Sequence, residues 1–274
     1  MRNKFDMDFT NQVVLITGAS SGIGRCIAID FAKLGAVVIG CGRSQQRLDT
    51  TLTEVRRASP SSTMIPCDVG NRQEVQSMVA KVLADFGKID ILINNAGIGM
   101  RKPFAETSVD TIEEIMRINY FGMVYCTHVA LPSMIAKGGG HIVNISSVAG
   151  IIGTLNLSGY CASKFAMNGF SESLYYELKP LGIHVSVICP GPVSTDFNRS
   201  FADTKPKSPA FLMLEPETVS RLVIRAIATK KFEVVMPWSL ALICRVARMA
   251  PGLFRAVAGR AFRSYVIARR KTTA

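Results

Sequence analysis

Apolar residues in this chain come in short unbroken runs, separated by longer stretches with helical spacing. Val13-Val14-Leu15-Ile16-Thr17 is a continuous β-favouring run, the mark of a strand buried on both faces. A small, glycine-rich turn from Gly18 to Gly24 follows, and Ile23 to Leu34 reads as a helix stopped by Gly35. The alternation continues: 36–40 predicts a second buried strand, 45–58 a helix, 63–66 a short third strand, and 72–86 an amphipathic helix ended by Gly87. Residues 89–93 predict a fourth strand, 110–117 and 120–137 helices, 141–145 a fifth strand, 158–178 a long helix and 184–188 a sixth strand. Residues 190–214 are loop-rich, 217–229 predicts a helix and 232–235 a last short strand.

Strand alternating with helix demands right-handed crossovers and a parallel sheet covered on both faces. The pattern therefore predicts one α/β domain over residues 1–236, a doubly wound parallel sheet of the dinucleotide-binding type. Ligands in such sheets bind beyond the carboxyl ends of the strands, at the switch point. The chemistry is expected in the turns after Thr17, Gly40, Ile93, Ile145 and Ile188.

Composition fits a globular chain of 274 residues, with 48% hydrophobic and 19% charged residues, and excludes wholesale disorder. The seven cysteines are odd in number and lack CxxC spacing, so reduced thiols in a cytoplasmic protein are expected, with no disulfide framework and no metal site. The first ten residues hold no apolar signal region, and no stretch is long and apolar enough to span a membrane.

Charge changes the picture at the C-terminus. Net charge is +12, but no acid follows Glu233, while Arg245, Arg248, Arg255, Arg260, Arg263, Arg269, Arg270 and Lys271 do. Residues 237–274 form a basic extension that mixes Trp238, Leu240, Leu242, Ile243, Val246, Met249, Leu253, Phe254, Val257, Phe262, Tyr265 and Val266 with arginines, and Pro251-Gly252 breaks it into two amphipathic helices. Two readings stay open for it: peripheral docking on a membrane surface, or packing against the body or a second subunit. Nucleic acid is not expected, since no recognised binding fold accompanies the charge.

Three segments carry candidate chemistry. Thr17-Gly18-Ala19-Ser20-Ser21-Gly22-Ile23-Gly24 joins the first strand to a helix, and its glycines let backbone approach a pyrophosphate. Asn94-Asn95-Ala96-Gly97 ends the fourth strand; its amides can brace neighbouring strand ends and leave room for a ribose. Tyr160 and Lys164 share one helix face at i,i+4, where an ammonium would draw the phenol pKa down from about 10. Ser147 ends the fifth strand thirteen residues earlier and can face the same pocket; Ser146 should point to the opposite face.

Together these motifs resemble the short-chain dehydrogenase/reductases. Thr17 to Gly24 is similar to that family's TGxxxGxG turn, Asn94 to Gly97 to its NNAG, and Ile118-Asn119-Tyr120 to the segment holding its helical catalytic Asn. Ser147, Tyr160 and Lys164 stand at its Ser-Tyr-Lys spacing, and Pro190-Gly191 with Thr195 is similar to its PGxxxT segment. The resemblance covers about residues 10 to 235 and implies a Rossmann-type fold. It also implies catalysis by Asn119, Ser147, Tyr160 and Lys164, with hydride passing between a nicotinamide cofactor and a carbonyl carbon. Tyr160 would donate the proton, Ser147 would orient the carbonyl oxygen, Lys164 would bind the nicotinamide ribose, and Asn119 would hold a proton-relaying water. Cofactor contacts are expected from Gly18, Ser20, Ser21, Gly22, Ile23, Gly24, Asp68, Val69, Asn95, Ala96, Gly97, Tyr160, Lys164, Pro190, Gly191, Val193 and Thr195.

Cofactor choice rests on residues 39–44, Ile-Gly-Cys-Gly-Arg-Ser, which hold no acid for a ribose 2′-hydroxyl. Arg43 can pair with a 2′-phosphate and Ser44 can add a hydrogen bond, so NADP(H) is expected. A covering loop over 193–214, with Phe197, Phe201, Phe211, Leu212, Met213 and Leu214, suits a lipophilic ketone or secondary alcohol. Ile98, Met100, Ile151, Ile152 and Leu155 are further candidates for the pocket wall. The family's habits imply a homodimer or homotetramer. The alternatives are a membrane-tethered cofactor sensor without turnover, and a non-redox epimerase or dehydratase of the same fold.

Overall fold

The computed structural model of the chain describes residues 7–197 and 212–272. Seven strands form a single sheet: β1 (Val13–Thr17), β2 (Val37–Gly42), β3 (Thr63–Pro66), β4 (Ile91–Asn94), β5 (Gly140–Ile145), β6 (Ile183–Pro190) and β7 (Glu233–Met236). Their order is β3-β2-β1-β4-β5-β6-β7, with every neighbouring pair parallel. This is the doubly wound sheet that the alternation predicts.

The unbroken apolar run of β1 has a direct cause. Val14 and Ile16 point to one face, against Ile27 and Phe31 of α1 (Gly22–Lys33), Leu48 of α2 (Gln45–Arg56) and Val219 and Val223 of α7 (Pro216–Thr229). Val13 and Leu15 point to the other. There they meet Val75 and Val79 of α3 (Arg72–Phe86), Cys126 and Met134 of α5 (Gly122–Lys137) and Leu174 of α6 (Ser158–Leu178). A strand covered on both sides has no position for a polar residue. The switch point lies where β1 is flanked by β2 and β4.

Among the boundaries that differ from expectation, three bear on the site. β2 extends to Gly42, because β3 pairs with it as far as Gly42–Pro66, so the turn that follows starts at Arg43. β4 begins at Ile91: Asp90 instead accepts the Val13 N–H at 2.8 Å through its carboxylate. The helices expected over 110–117 and 120–137 are α4 (Val109–Met116) and α5, joined without a break by a π-helical turn, Arg117–Phe121.

The C-terminal segment forms the two expected helices, α8 (Trp238–Met249) and α9 (Pro251–Thr272). One face of α8 docks on the body. Cys244 is buried with Cys189, Val187 and Ile151, and Arg248 makes paired bonds of 2.8 and 2.6 Å to Glu233.

Candidate active site

Two turns meet at the switch point, and polar bonds lock them together. Thr17, the last residue of β1, accepts the backbone N–H groups of Asn95 and Ala96 on its hydroxyl, both at 3.0 Å. The Asn95 amide donates to the carbonyls of Thr17 and Gly18 at 2.9 and 3.2 Å. Beside it Asn94 donates to Asn144 of β5 and Thr127 of α5, at 2.9 and 3.1 Å. The amides therefore brace the strand ends as the sequence suggests.

The glycine turn is a cradle that side chains would fill. Gly18 and Gly22 have φ of +68° and +53°, a left-handed backbone that favours glycine. A Cβ on Gly24 would stand 2.2 Å from the Gly18 carbonyl oxygen, and one on Gly22 would stand 3.2 Å from the Thr195 methyl. Thr195 thus approaches the turn from the loop after β6. α1 starts without an acid in its first turn, and Ser21 makes no side-chain cap. An uncapped positive helix end behind a glycine turn fits the pyrophosphate of a dinucleotide.

At the end of β2, Ala19 N–H donates to Cys41 O at 2.9 Å, and Ser20 sits against Gly42. Arg43 follows, exposed, and Ser44 heads α2 without a side-chain cap. Asp68, expected as a direct cofactor contact, is already engaged. Its carboxylate pairs with Arg117 at 3.0 Å and accepts the Gly70 N–H at 3.0 Å, while Arg117 also bonds Glu114. Val69 is buried beneath it, against Gly122.

Ser147, Tyr160 and Lys164 converge past the end of β5. Ser147 accepts the Ala149 N–H at 3.1 Å and hydrogen-bonds the Tyr160 phenol. Ser146 is buried next to Gly150 and is not the partner of Tyr160. Tyr160 is half-buried among Ala149, Leu157, Cys161 and Phe197, with the Phe197 ring 6.0 Å away. Lys164 is 4% exposed; its Nζ donates to Ile145 O at 2.8 Å and lies 5.8 Å from the centre of the Tyr160 ring.

Burial sets the proton affinities of both groups. Burial pushes the Tyr160 phenol up to about 12, and the Ser147 bond pulls only partly the other way. Burial also pushes the Lys164 ammonium down to about 8. Desolvation dominates at both groups, and Ser147 is the neighbour that pulls the phenol down.

Asn119 sits fully buried in the π-helical turn. Its amide oxygen accepts the Ile98 N–H at 2.8 Å, and its nitrogen donates to Ile98 O at 2.9 Å and to the Ser163 hydroxyl at 3.0 Å. Ser163 in turn donates to Tyr160 O at 2.8 Å. Both amide protons of Asn119 are spent, so a water could find only an acceptor lone pair on this side chain. A Cβ on Gly97 would stand 3.2 Å from the Asn119 amide oxygen and 3.9 Å from the Lys164 ammonium, which brings Gly97 into the same cluster.

The remaining expected residues divide. Pro190 ends β6 with its carbonyl 3.4 Å from the Ser147 hydroxyl, and Gly191 N–H donates to Met236 O at 2.7 Å. Val193 bridges to Leu214, and both are buried against the core that includes Val219 and Val223. Ile151 and Ile152 pack in the cluster that holds Cys244 of α8. Ile98 and Met100 line a groove with Asp110 and Ile115 of α4. Phe201 and Phe211 lie outside the described residues. From sequence Thr17 was expected only as the start of the glycine turn, and Ser163 and Arg117 were not singled out; the i,i+3 spacing of Ser163 from Tyr160 was the available signal for one of them.

Known proteins are similar to this chain in sequence and in fold. The profile of the short chain dehydrogenase family matches residues 12–206. The dehydrogenase/reductase SDR family member 7B of Danio rerio is 40% identical over 239 residues, covering 82% of this chain and 77% of that protein. The epidermal retinol dehydrogenase 2 of Mus musculus is 37% identical over 245 residues, covering 88% and 78%. Among solved structures, a short chain dehydrogenase/reductase from Burkholderia phymatum in complex with NAD superposes with a TM-score of 0.81 at 27% identity, covering 90% of this chain and 96% of that one. With the braced glycine turn, the parallel sheet and the Ser147–Tyr160–Lys164 cluster already in place, these matches put the chain in the short-chain dehydrogenase family, oxidoreductases of alcohol and carbonyl groups.

Proposed function

We propose that this chain is an NADP(H)-dependent oxidoreductase that interconverts a lipophilic ketone and its secondary alcohol. The observation that carries the reading is the Tyr160 phenol, hydrogen-bonded to Ser147, with buried Lys164 beneath it and an apolar wall of Ala149, Leu157 and Phe197 around it.

The bound nicotinamide would supply or accept the hydride. The chain's own residues do the rest. A phenol that burial keeps protonated is ready to donate to the carbonyl oxygen during reduction. The Ser147 hydroxyl, held by Ala149 N–H, is placed to donate to the same oxygen. Lys164 would hold the ribose from the floor of the site, and Asn119 acts as a positioning residue, fixing Ile98 and Ser163. Gly18, Ser20, Ser21, Gly22, Ile23 and Thr195 would hold the pyrophosphate, and Asn95, Ala96 and Gly97 the ribose side.

NADP(H) is favoured by the sequence after β2, which presents Arg43 and Ser44 and no carboxylate. A lipophilic substrate is favoured by the apolar wall, and a relative named for retinol is consistent with it. The exposed Phe121 and Phe165 offer an apolar surface for a homodimer or homotetramer.

The test is loss of reduced-cofactor absorbance with purified protein and a panel of lipophilic ketones, with NADPH and NADH in parallel, together with the reverse reaction on the matching alcohols. NADPH-selective turnover that Tyr160→Phe lowers by about a thousandfold or more is expected. Turnover retained in Tyr160→Phe, or tight NADPH binding with no turnover in either direction, would overturn the reading.

A further inference from the structure

Helices α8 and α9 carry an apolar surface that no described residue covers. α8 is anchored by one side only: Cys244 is buried against Cys189 and Ile151, and Leu240 lies against Gly191. The opposite side, at helical spacing, presents Trp238, Leu242, Val246 and Met249, which are 75, 55, 44 and 81% exposed. On α9, Leu253 and Val257 are exposed as well, at 65 and 59%. Large apolar side chains exposed at helical spacing along one face mark an interaction site.

The charge on the same helices has one sign. Arg245, Arg255, Arg260 and Arg263 are exposed, no ion pair joins them to a described carboxylate, and no acid follows Glu233 anywhere in the chain. Two copies of this surface would set arginine against arginine, which disfavours self-association through it. The complementary partner is apolar and anionic together. Neither helix is long and apolar enough to cross a membrane. An apolar stripe edged by arginines, with a tryptophan at its end, instead matches a helix lying in the interfacial plane.

We propose that α8 and α9 dock on an anionic phospholipid bilayer surface, with Trp238, Leu242, Val246, Met249 and Leu253 in the acyl boundary and the arginines at the phosphates. The placement has a consequence that rests on the proposed activity. The inner side of α8 packs on Ile151 and Gly191, which follow closely on Ser147 and Pro190, so docking would hold the site near the lipid from which a lipophilic ketone partitions.

Trp238 is the sole tryptophan of the chain and stands at the start of the docking face, so its emission reports the event directly. The full chain is mixed with vesicles of phosphatidylcholine, with or without phosphatidylglycerol, and sedimentation and emission are read together. Binding at least about tenfold tighter to the anionic vesicles, weakened by salt and accompanied by a blue shift, is expected. Leu242→Glu with Met249→Glu should abolish both signals while its thermal unfolding and its turnover of a water-soluble ketone match the parent. A chain that stays in the supernatant with anionic vesicles, an unshifted emission, or a double variant that binds as well as the parent would overturn the proposal. So would a dimer in solution that the same variant dissociates, because a second copy would then cover the face. Turnover without lipid is read in the same samples, so failure of docking and failure of the enzymatic reading are told apart.

Discussion

At Tyr160 desolvation competes with a hydrogen bond, and desolvation wins, pushing the phenol up to about 12. The position of the pair was legible in the sequence because helical spacing places Tyr160 and Lys164 on one face and strand alternation favours Ser147 over Ser146. The direction of the shift was not legible, because it depends on Ala149, Leu157 and Phe197, which arrive from different segments. Asp68 shows the same limit. Its partner Arg117 is 49 residues away, and no local pattern announces the pair. Arg43, by contrast, is exposed and supplies the one charge in the cofactor argument, beside Ser44. A charge-assisted contact to a 2′-phosphate is worth about 1.5–3 kcal/mol, so Arg43→Ala should weaken NADPH by roughly ten- to a hundredfold. NADH, lacking that phosphate, should change little. Dissociation constants for both cofactors check this, and equal losses would remove Arg43 from the specificity argument.

β1 and β4 were readable because a strand buried on both faces leaves an apolar run, and α1, α3 and α5 because a glycine stops each of them. The join between α4 and α5 was not. A π-helical turn needs one extra residue per turn and has no composition of its own. Here it turns Asn119 inward, where the amide ties Ile98 to Ser163 and so reaches Tyr160 through the Ser163 hydroxyl. Asn119→Ala leaves the Ile98 N–H and the buried Ser163 hydroxyl short of partners, at a cost of about 1–3 kcal/mol. Its melting temperature should fall, and kcat should fall more than the cofactor's dissociation constant rises. An unchanged melting temperature would mean that water replaces the amide. The glycine turn supplies an internal comparison. Gly24→Ala drives a Cβ to 2.2 Å from the Gly18 carbonyl oxygen, whereas Gly22→Ala meets only the Thr195 methyl at 3.2 Å and bears the strain of its positive φ. Gly24→Ala should therefore be the more damaging to folding and to cofactor binding, as thermal melts with and without NADPH would read out.

Across the whole molecule the two ends of the sheet carry opposite chemistry. The carboxyl ends gather the site, while the amino ends of β5 and β6 set His141 directly across from His184, the rings 5.7 Å apart. Sequence separation hid this neighbourhood, which only the parallel register creates. His141 is buried and bonded to the Ser186 hydroxyl at 2.8 Å; that hydroxyl donates onward to Lys231 O, so His141 serves as its donor while neutral. Burial, then the positive charges of His184 and Lys230, push His141 down to about 3 from 6.5, and burial lowers His184 as well. The sign of the linkage follows. Below pH 6.5 the unfolded chain takes up a proton at His141 that the folded chain refuses until about pH 3, so stability is held above 6.5 and lost as the pH falls. The slope contributed by this one group approaches about 1.4 kcal/mol per pH unit. His141→Gln keeps a donor for Ser186 without the titration. Its urea midpoint should therefore decline less steeply than the parent's between pH 6.5 and 4.5, closing a gap of about 2 kcal/mol over that interval. Parallel declines in the two proteins would show that His141 is protonated in the folded state and that acid lability arises elsewhere. Turnover at neutral pH should be unaffected by the substitution, because the histidine pair lies at the end of the sheet opposite Tyr160.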